Sequence, residues 1–370
     1  MSPADDYRYM SMALQLAAKG LYTTDPNPRV GCVIVNNQQI VGQGWHQRAG
    51  GPHAEIHALR QAGDRAQDAT VYVTLEPCSH HGKTPPCAEA LIEAKVSRVV
   101  AAMQDPNPLV AGEGLRKLAA VGIHTQSGVL QNQAEALNPG FIKRMQDKRP
   151  HVRCKLAMSV DGRTAMANGE SQWITGEDAR RDVHRLRARS SAVLTGINTV
   201  LADDPSLNAR LDNVDDDAIV QPIRVVVDSQ LRMPLEAKIL ALPGKTIIVT
   251  VSKEEGKMDR LRQRGADIIV VEQKAGRVDL DALLKILAEK QINEVMAEAG
   301  PTLNGELLQQ QLVDELIIYM APSIMGDAAK GMFTLPGIEN MQDRVELNIS
   351  DIRAVGRDWR ISASVNKKLN

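Results

Sequence analysis

Aromatic residues are scarce in this chain of 370 residues, at 3% of the total, and no charge of one sign prevails: 44 basic residues face 45 acidic ones, a net charge of −1. Few stacking platforms and no basic excess argue against a nucleic-acid partner. Long apolar runs are missing, and the N-terminus has no basic stretch followed by a hydrophobic one, so neither a membrane span nor a secretory signal is expected. Cysteine is rare as well. Four cysteines without a secretory signal point to a reducing, cytoplasmic setting, where thiols bind metals or catalyse rather than form disulfides. Low-complexity tracts are absent, and 43% hydrophobic residues suffice for globular packing. The acidic run Asp215–Asp216–Asp217 reads as a solvated loop. The dinucleotide fingerprint G-x-G-x-x-G is lacking too: the nearest string, "GQGWHQ" at 42–47, has no last glycine, so a standard Rossmann NAD site is not supported.

What is present is an α/β rhythm in two stretches, and the length favours two domains. Tyr7, Met10, Leu14 and Ala17 recur at helical spacing over residues 5–20. "VGCVIV" (30–35) and "IVGQGW" (40–45) flank a polar "NNQQ" and read as a β-hairpin. Helices over about 53–62, 86–95 and 114–121 then alternate with strands at 70–75, 98–103 and 123–126, which implies a largely parallel sheet covered on both faces. The polar, proline-bearing "QDKRPH" (146–151) marks a boundary, giving domains 1–147 and 148–370. Beyond it "VRCKLAMS", "AVLTG", "IRVVVDS", "TIIVTV", "DIIVVE", "EVMAEAG" and "ELIIYMAP" are strand candidates, with helices near 176–189, 279–290 and 304–312.

The first stretch carries metal-binding chemistry. "PHAEIHALR" (52–60) opens a helix with proline in its first turn, and "TLEPCSHHGKTPPC" (74–87) leads into a second, with Cys87 in the first turn. Helix starts carry partial positive charge and favour the thiolate a metal requires. Cys78 follows a strand directly, at the carboxyl end where open α/β sheets place their sites. His53, Cys78 and Cys87 can therefore converge on one zinc ion, leaving a fourth position open, as in catalytic sites. Glu55, two residues beyond His53, projects differently and can carry a proton from water to a leaving amine. This is the H-x-E…P-C-x-x-C plan of zinc base deaminases, except that eight residues separate the cysteines. Other readings stand beside it. His80 or His81 could replace a cysteine as ligand, and His57 reads as structural or as support for a ligand. Cys32 and Cys154 lie in apolar strands and read as core.

"TTDPNPRVGCVIV", "GWHQRAGGPHAEIHAL", "TLEPCSHHGKTPPC" and "MQDPNPLVAGEGL" closely resemble the deaminase half of the bifunctional riboflavin-biosynthesis deaminase–reductase family, whose cysteine loop is likewise extended. The resemblance implies a cytidine-deaminase-like α/β/α domain with one zinc per chain, held by His53, Cys78 and Cys87. Glu55 would be the proton shuttle and Asn27 a pyrimidine contact. The implied substrate is 2,5-diamino-6-(5-phosphoribosylamino)pyrimidin-4(3H)-one, deaminated to the uracil.

The second stretch says less by itself. In "EVMAEAGPTLNGELL" (294–308) a strand ends near Glu298 and a helix begins near Asn304, where backbone amides can hold a phosphate and Gly300 and Gly305 permit close approach. "LTGINTVLADDPSLNAR" (194–210) runs from a strand end into a polar loop ending in an arginine suited to an anion. As bare patterns both are also ordinary βα turns. These segments, with "KLAMSVDGRTAMANGESQWIT" and "RVVVDS", resemble the family's reductase half, with its dihydrofolate-reductase-like α/β fold. The resemblance implies NADPH-dependent reduction of the ribosyl group to a ribityl chain. Ala157, Trp173, Thr199, Asp203, Ser229, Gly300, Pro301, Thr302, Leu303, Asn304, Gly305 and Glu306 would line the NADPH site. Ser171, Arg187, Leu207, Arg210 and Glu298 would meet the substrate, the two arginines suiting its phosphate. Lys155 is a weaker candidate for assisting ring opening. A homo-oligomer, dimer or tetramer, is expected. The competing readings are a deaminase of another base or of tRNA with an unrelated second domain, and a zinc-stabilised scaffold that needs no Glu55.

Overall fold

Short apolar runs and amphipathic ones alternate along the chain, and in the computed structural model they become strands and helices of two units, Met1–Lys148 and Arg149–Asn370. The structure describes residues 2–79, 86–108, 111–212, 214 and 219–366. His80, His81 and the acidic run at 215–217 lie outside the described residues.

The first unit runs α1 (Pro3–Ala18), β1 (Gly31–Asn36), β2 (Gln39–Trp45), α2 (Ala54–Ala62), β3 (Thr70–Val73), α3 (Cys87–Glu93), β4 (Arg98–Ala101), α4 (Glu113–Ala120), β5 (His124–Ser127), α5 (Gln131–Leu137) and α6 (Pro139–Asp147). Helix α1 is opened by Ser2, whose side chain and backbone exchange hydrogen bonds with Asp5 in a capping box. Its buried face is Tyr9, Met10, Ala13, Leu16 and Ala17; Tyr7, placed on the apolar face by its spacing, is 56% exposed. The sheet order is β2-β1-β3-β4-β5; β1 runs antiparallel to both neighbours, and the other four strands share one direction. The hairpin and the parallel, helix-linked strands are as the sequence pattern predicts. Asn37 and Gln38, at φ 47° and 63°, reverse the chain in two residues, the left-handed pair that matches strand twist in tight hairpins.

Missing side chains set the distance between helices and this sheet. A Cβ on Gly31 would lie 2.0 Å from the carbonyl oxygen of Ala13 in α1. One on Gly42 would lie 2.2 Å from that of Ala58, and one on Gly44 2.3 Å from that of Ala54, both in α2. The glycines of "GQGWHQ" thus seat a helix. Gly31→Ala is expected to destabilise this unit by about 1–3 kcal/mol, as overpacking does. Gly256→Ala, whose new Cβ meets nothing within 4 Å, is the control. Equal denaturation midpoints for the two variants would refute this account.

The second unit runs β6 (His151–Ser159), β7 (Arg163–Ala165), α7 (Glu177–Arg189), β8 (Ala192–Gly196), α8 (Ile197–Asp203), β9 (Ile223–Val227), α9 (Lys238–Ala241), β10 (Thr246–Thr250), α10 (Glu255–Gln263), β11 (Ala266–Val270), β12 (Gln273–Lys274), β13 (Arg277–Val278), α11 (Leu280–Glu289), β14 (Glu294–Ala297), α12 (Pro301–Gln309), β15 (Glu315–Ala321), β16 (Lys330–Gly331), β17 (Leu347–Val355) and β18 (Asp358–Val365). Its nine-stranded sheet has the order β11-β10-β9-β8-β14-β6-β15-β18-β17, parallel as far as β15 and antiparallel over the last two strands. Strands β8, β10 and β14 are buried almost throughout, as parallel strands covered on both faces must be. Residues 197–203, expected as loop, form helix α8, and α12 starts at Pro301 rather than near Asn304 because proline suits the first helical position. The strand ends at Val227, Gly196, Ala297 and Ser159 belong to neighbouring parallel strands, so the segments that follow them share one edge of the sheet.

Candidate active sites

In the first unit His53 is the N-cap of α2, its backbone extended at φ −72° and ψ 166°, with Pro52 preceding the cap rather than lying in the first turn. Cys78 follows β3 and Cys87 is the first residue of α3, behind Pro86. Their ligand atoms, with the imidazole of His53, all lie within 4.8 Å of one another. His53 Nδ1 is 3.2 Å from Cys87 Sγ and 3.6 Å from Cys78 Sγ. Tetrahedral zinc with its usual bond lengths would set nitrogen and sulfur about 3.5 Å apart. The donor set fits a zinc ion. The backbone N–H of Cys87 donates to Cys78 Sγ at 3.2 Å. Hydrogen bonding from Cys87, with His53 assisting against burial, holds the Cys78 thiol down to about 4, while the hydrogen bond to Cys78 and burial push Cys87 up.

Glu55 sits in the first turn of α2, only 3% exposed, and burial raises its carboxyl above the ordinary range against the pull of His53. His57 is outside the trio and lies against Gly44 of β2. Cys32 and Cys154 are fully buried, and burial pushes both thiols up, Cys154 to about 12.

Two residues of this unit were not legible in advance. His46 is buried, with its ring edge-on to His53 at 5.5 Å between centroids. Its Nδ1 faces the Pro52 carbonyl oxygen at 3.1 Å and must donate there, so Nε2 accepts from the Asn27 amide at 3.1 Å. That contact turns the Asn27 amide oxygen away from His46. Glu76, in "TLEPC", is buried, and its carboxylate accepts from the backbone N–H of Asp105 (3.0 Å), Gly112 (2.8 Å), Gly114 (2.7 Å) and Leu115 (3.3 Å). The segment bearing Cys78 is thereby tied to both ends of the chain between β4 and α4.

In the second unit Glu298 follows β14, and α12 starts just beyond it with Gly300 as N-cap. Leu303 packs against Gly196, the N-cap of α8, which carries Thr199 and Asp203; Ser229 follows β9. The N-terminal turns of α8 and α12 and Ser229 therefore lie on the same edge. Ala157 is on β6, whereas Trp173 is 70% exposed, with the Arg180 guanidinium 4.7 Å from its ring centroid. A Cβ on Gly300 would meet nothing within 4 Å, but one on Gly305 would lie 2.1 Å from the Thr334 carbonyl oxygen. The close approach that Gly305 permits is thus to the protein's own backbone, and Gly300 alone keeps the open position expected of both.

Arg187 is held beside Glu298. Its guanidinium grips the Glu298 carboxylate through Nε and Nη2 (2.5 and 3.0 Å), and Nη1 donates to the Asn208 carbonyl at 3.1 Å. Three of its five donors are engaged within the chain, which leaves two for a ligand. Burial would raise the Glu298 carboxyl, but Arg187, with Lys155 at 3.9 Å, holds it below the ordinary range. Burial lowers Lys155, with Glu298 opposing. Arg210 is exposed, and Leu207 takes the left-handed backbone at φ 51°. Ser171 is half-buried in the loop before α7.

The donor cluster at the start of α2 and α3 defines a zinc-deaminase class, and residues 3–103 match the zinc-binding region of cytidine and deoxycytidylate deaminases. Residues 150–361 match the RibD C-terminal domain, of dihydrofolate-reductase-like fold. The chain is 51% identical over 362 residues to the riboflavin biosynthesis protein RibD of Escherichia coli (strain K12), across 96% of this chain and 97% of that one. A solved structure of Acinetobacter baumannii RibD superposes with a TM-score of 0.93 at 46% identity, over 99% of this chain and 100% of that one. A Thermotoga maritima diaminohydroxyphosphoribosylaminopyrimidine deaminase/5-amino-6-(5-phosphoribosylamino)uracil reductase gives 0.87 at 30% identity, over 98% and 99%. The chain belongs to the RibD family and is a bifunctional deaminase and reductase of riboflavin biosynthesis. No helix among the described residues is long and apolar enough to cross a membrane.

Proposed function

We propose that the first unit, taken as residues 1–147, hydrolyses 2,5-diamino-6-(5-phosphoribosylamino)pyrimidin-4(3H)-one at C2 to 5-amino-6-(5-phosphoribosylamino)uracil and ammonia. The second, residues 148–370, then reduces the ribosyl group to ribityl with NADPH. The observation that carries the reading is the convergence of His53, Cys78 and Cys87 on one point, with buried Glu55 two residues from His53. These three residues would hold one zinc per chain, which supplies, when bound, water acidified to near neutral pH. Glu55 removes the proton of the attacking water and delivers it to the departing amine. Asn27, oriented by His46, presents its amide oxygen to a donor on the pyrimidine.

In the second unit NADPH, when bound, would supply the hydride for C1′ of the opened sugar. Ala157, Trp173, Thr199, Asp203, Ser229 and the segment Gly300 to Glu306 would hold it, the amides that open α12 being suited to a phosphate. Ser171, Arg187, Leu207, Arg210 and Glu298 meet the substrate, and Arg187 also fixes Glu298 and the Asn208 carbonyl. The enzyme works on a small molecule, in the cytoplasm, as a homo-oligomer. The test is one ammonia released and one NADPH oxidised per diaminopyrimidine nucleotide consumed. Ammonia without NADPH oxidation would leave the second assignment wrong. Arg210→Ala should raise KM for the uracil nucleotide about 10- to 100-fold, the loss of a charge-assisted bond, with ammonia release unchanged. A KM within twofold of the parent's would remove Arg210 from the substrate site.

A further inference from the structure

Beside Arg210 the second unit holds two donors that face each other. His184 lies on α7, one turn before Arg187. Its Nδ1 accepts from the backbone N–H of Arg210 at 3.2 Å, and its Nε2 lies 3.3 Å from Nη2 of the same arginine. A backbone N–H can only donate, and so can a guanidinium; a neutral imidazole has a lone pair on one nitrogen only. Both ring nitrogens therefore face donors, and one contact must lack an acceptor in either tautomer. The guanidinium is exposed and can turn to solvent, whereas the backbone N–H is fixed, so the lone pair belongs on Nδ1 and the hydrogen on Nε2. Nε2–H and the Arg210 Nη2–H are then adjacent and without an acceptor between them. The Asn208 carbonyl near the ring already accepts from Arg187 Nη1.

We propose that His184 is a further ligand of the substrate's phosphate monoester, donating from Nε2–H to an oxygen that also accepts from Arg210. One anion oxygen supplies the acceptor that both donors lack, and phosphate oxygens take several donors at once. Burial and the nearby charges of Arg187 and Arg210 lower His184 to about 4, which keeps the ring neutral and its single hydrogen directed at the anion. The inference rests on the reading of Arg210 as a phosphate ligand. NADPH carries a phosphate monoester of its own, and the test separates the two sources.

The experiment measures reductase KM for the phosphorylated uracil compound, for its dephosphorylated counterpart and for NADPH, in the parent enzyme and in His184→Ala, His184→Gln and Arg210→Ala. His184→Ala should raise KM for the phosphorylated compound about 10-fold, as loss of a charge-assisted bond would, and leave the other two KM values unchanged. His184→Gln should restore most of the loss, since its amide N–H can take the place of Nε2–H. Equal effects on both uracil compounds, no effect, no rescue by glutamine, or an effect confined to NADPH would each overturn the assignment. If Arg210→Ala discriminates between the two compounds and His184→Ala does not, the inference fails and the Arg210 reading stands. If neither does, both fail.

Discussion

Glu55→Gln is expected to keep about one zinc per chain and to lose deamination by 10²–10⁴-fold, the usual scale for a missing acid–base group. The amide matches the carboxylate in size and can still hydrogen-bond, but it cannot take a proton from water. The residue is buried beside the trio and is none of its ligands, so metal content and turnover should part company. The same protein should oxidise NADPH normally when given the already deaminated uracil nucleotide, and should fail on the diamino precursor. A scaffold that uses zinc only for stability predicts parental turnover. Retention of more than a tenth of the deaminase rate would assign the proton to another group. Loss of reduction on the deaminated compound, with the protein still folded, would mean that the two activities share a site.

Cys87→Ser should produce the complementary result, loss of zinc and deamination together. Cys87 is 1% exposed at the start of α3 and stands 3.2 Å from His53 Nδ1. A serine hydroxyl is shorter, stays protonated and binds zinc far less well than a thiolate, so metal content should fall from about one per chain to below about 0.1. Cys32→Ser, at a buried thiol outside the cluster, should keep its zinc even if it lowers the melting temperature. Full occupancy and activity in Cys87→Ser would rule out this ligand set.

The metal site was legible in the sequence because its signals are local. Ligand-type residues stand next to prolines at helix starts, and Cys78 lies in the loop that follows a strand. The parallel strands of the second unit were equally plain, being apolar throughout. What escaped depends on contacts between distant residues. The four amides on Glu76 come from residues 105–115, and Glu298, the partner of Arg187, is 111 positions away. The terminal hairpin of β17 and β18 escaped for another reason: β17 is exposed at eight of nine positions and shows no alternation to read. Helix α8 was read as loop because "INTVLADD" ends in a pair of aspartates that resemble loop chemistry.

The glycines that seat helices on the first sheet bear on how an alignment of relatives should be read. Gly31, Gly42, Gly44 and, in the other unit, Gly305 would be invariant columns, and two of them lie in a "GQG" string that invites a nucleotide-loop interpretation. Their invariance would record steric exclusion by carbonyl oxygens within the fold, whatever ligand lies nearby. In a saturation mutagenesis screen they should tolerate nothing and lose both abundance and activity. Gly300, with open space where a side chain would go, should instead yield abundant protein in which any loss is catalytic. Abundance and activity, scored separately, would sort the packing glycines from those that meet a cofactor.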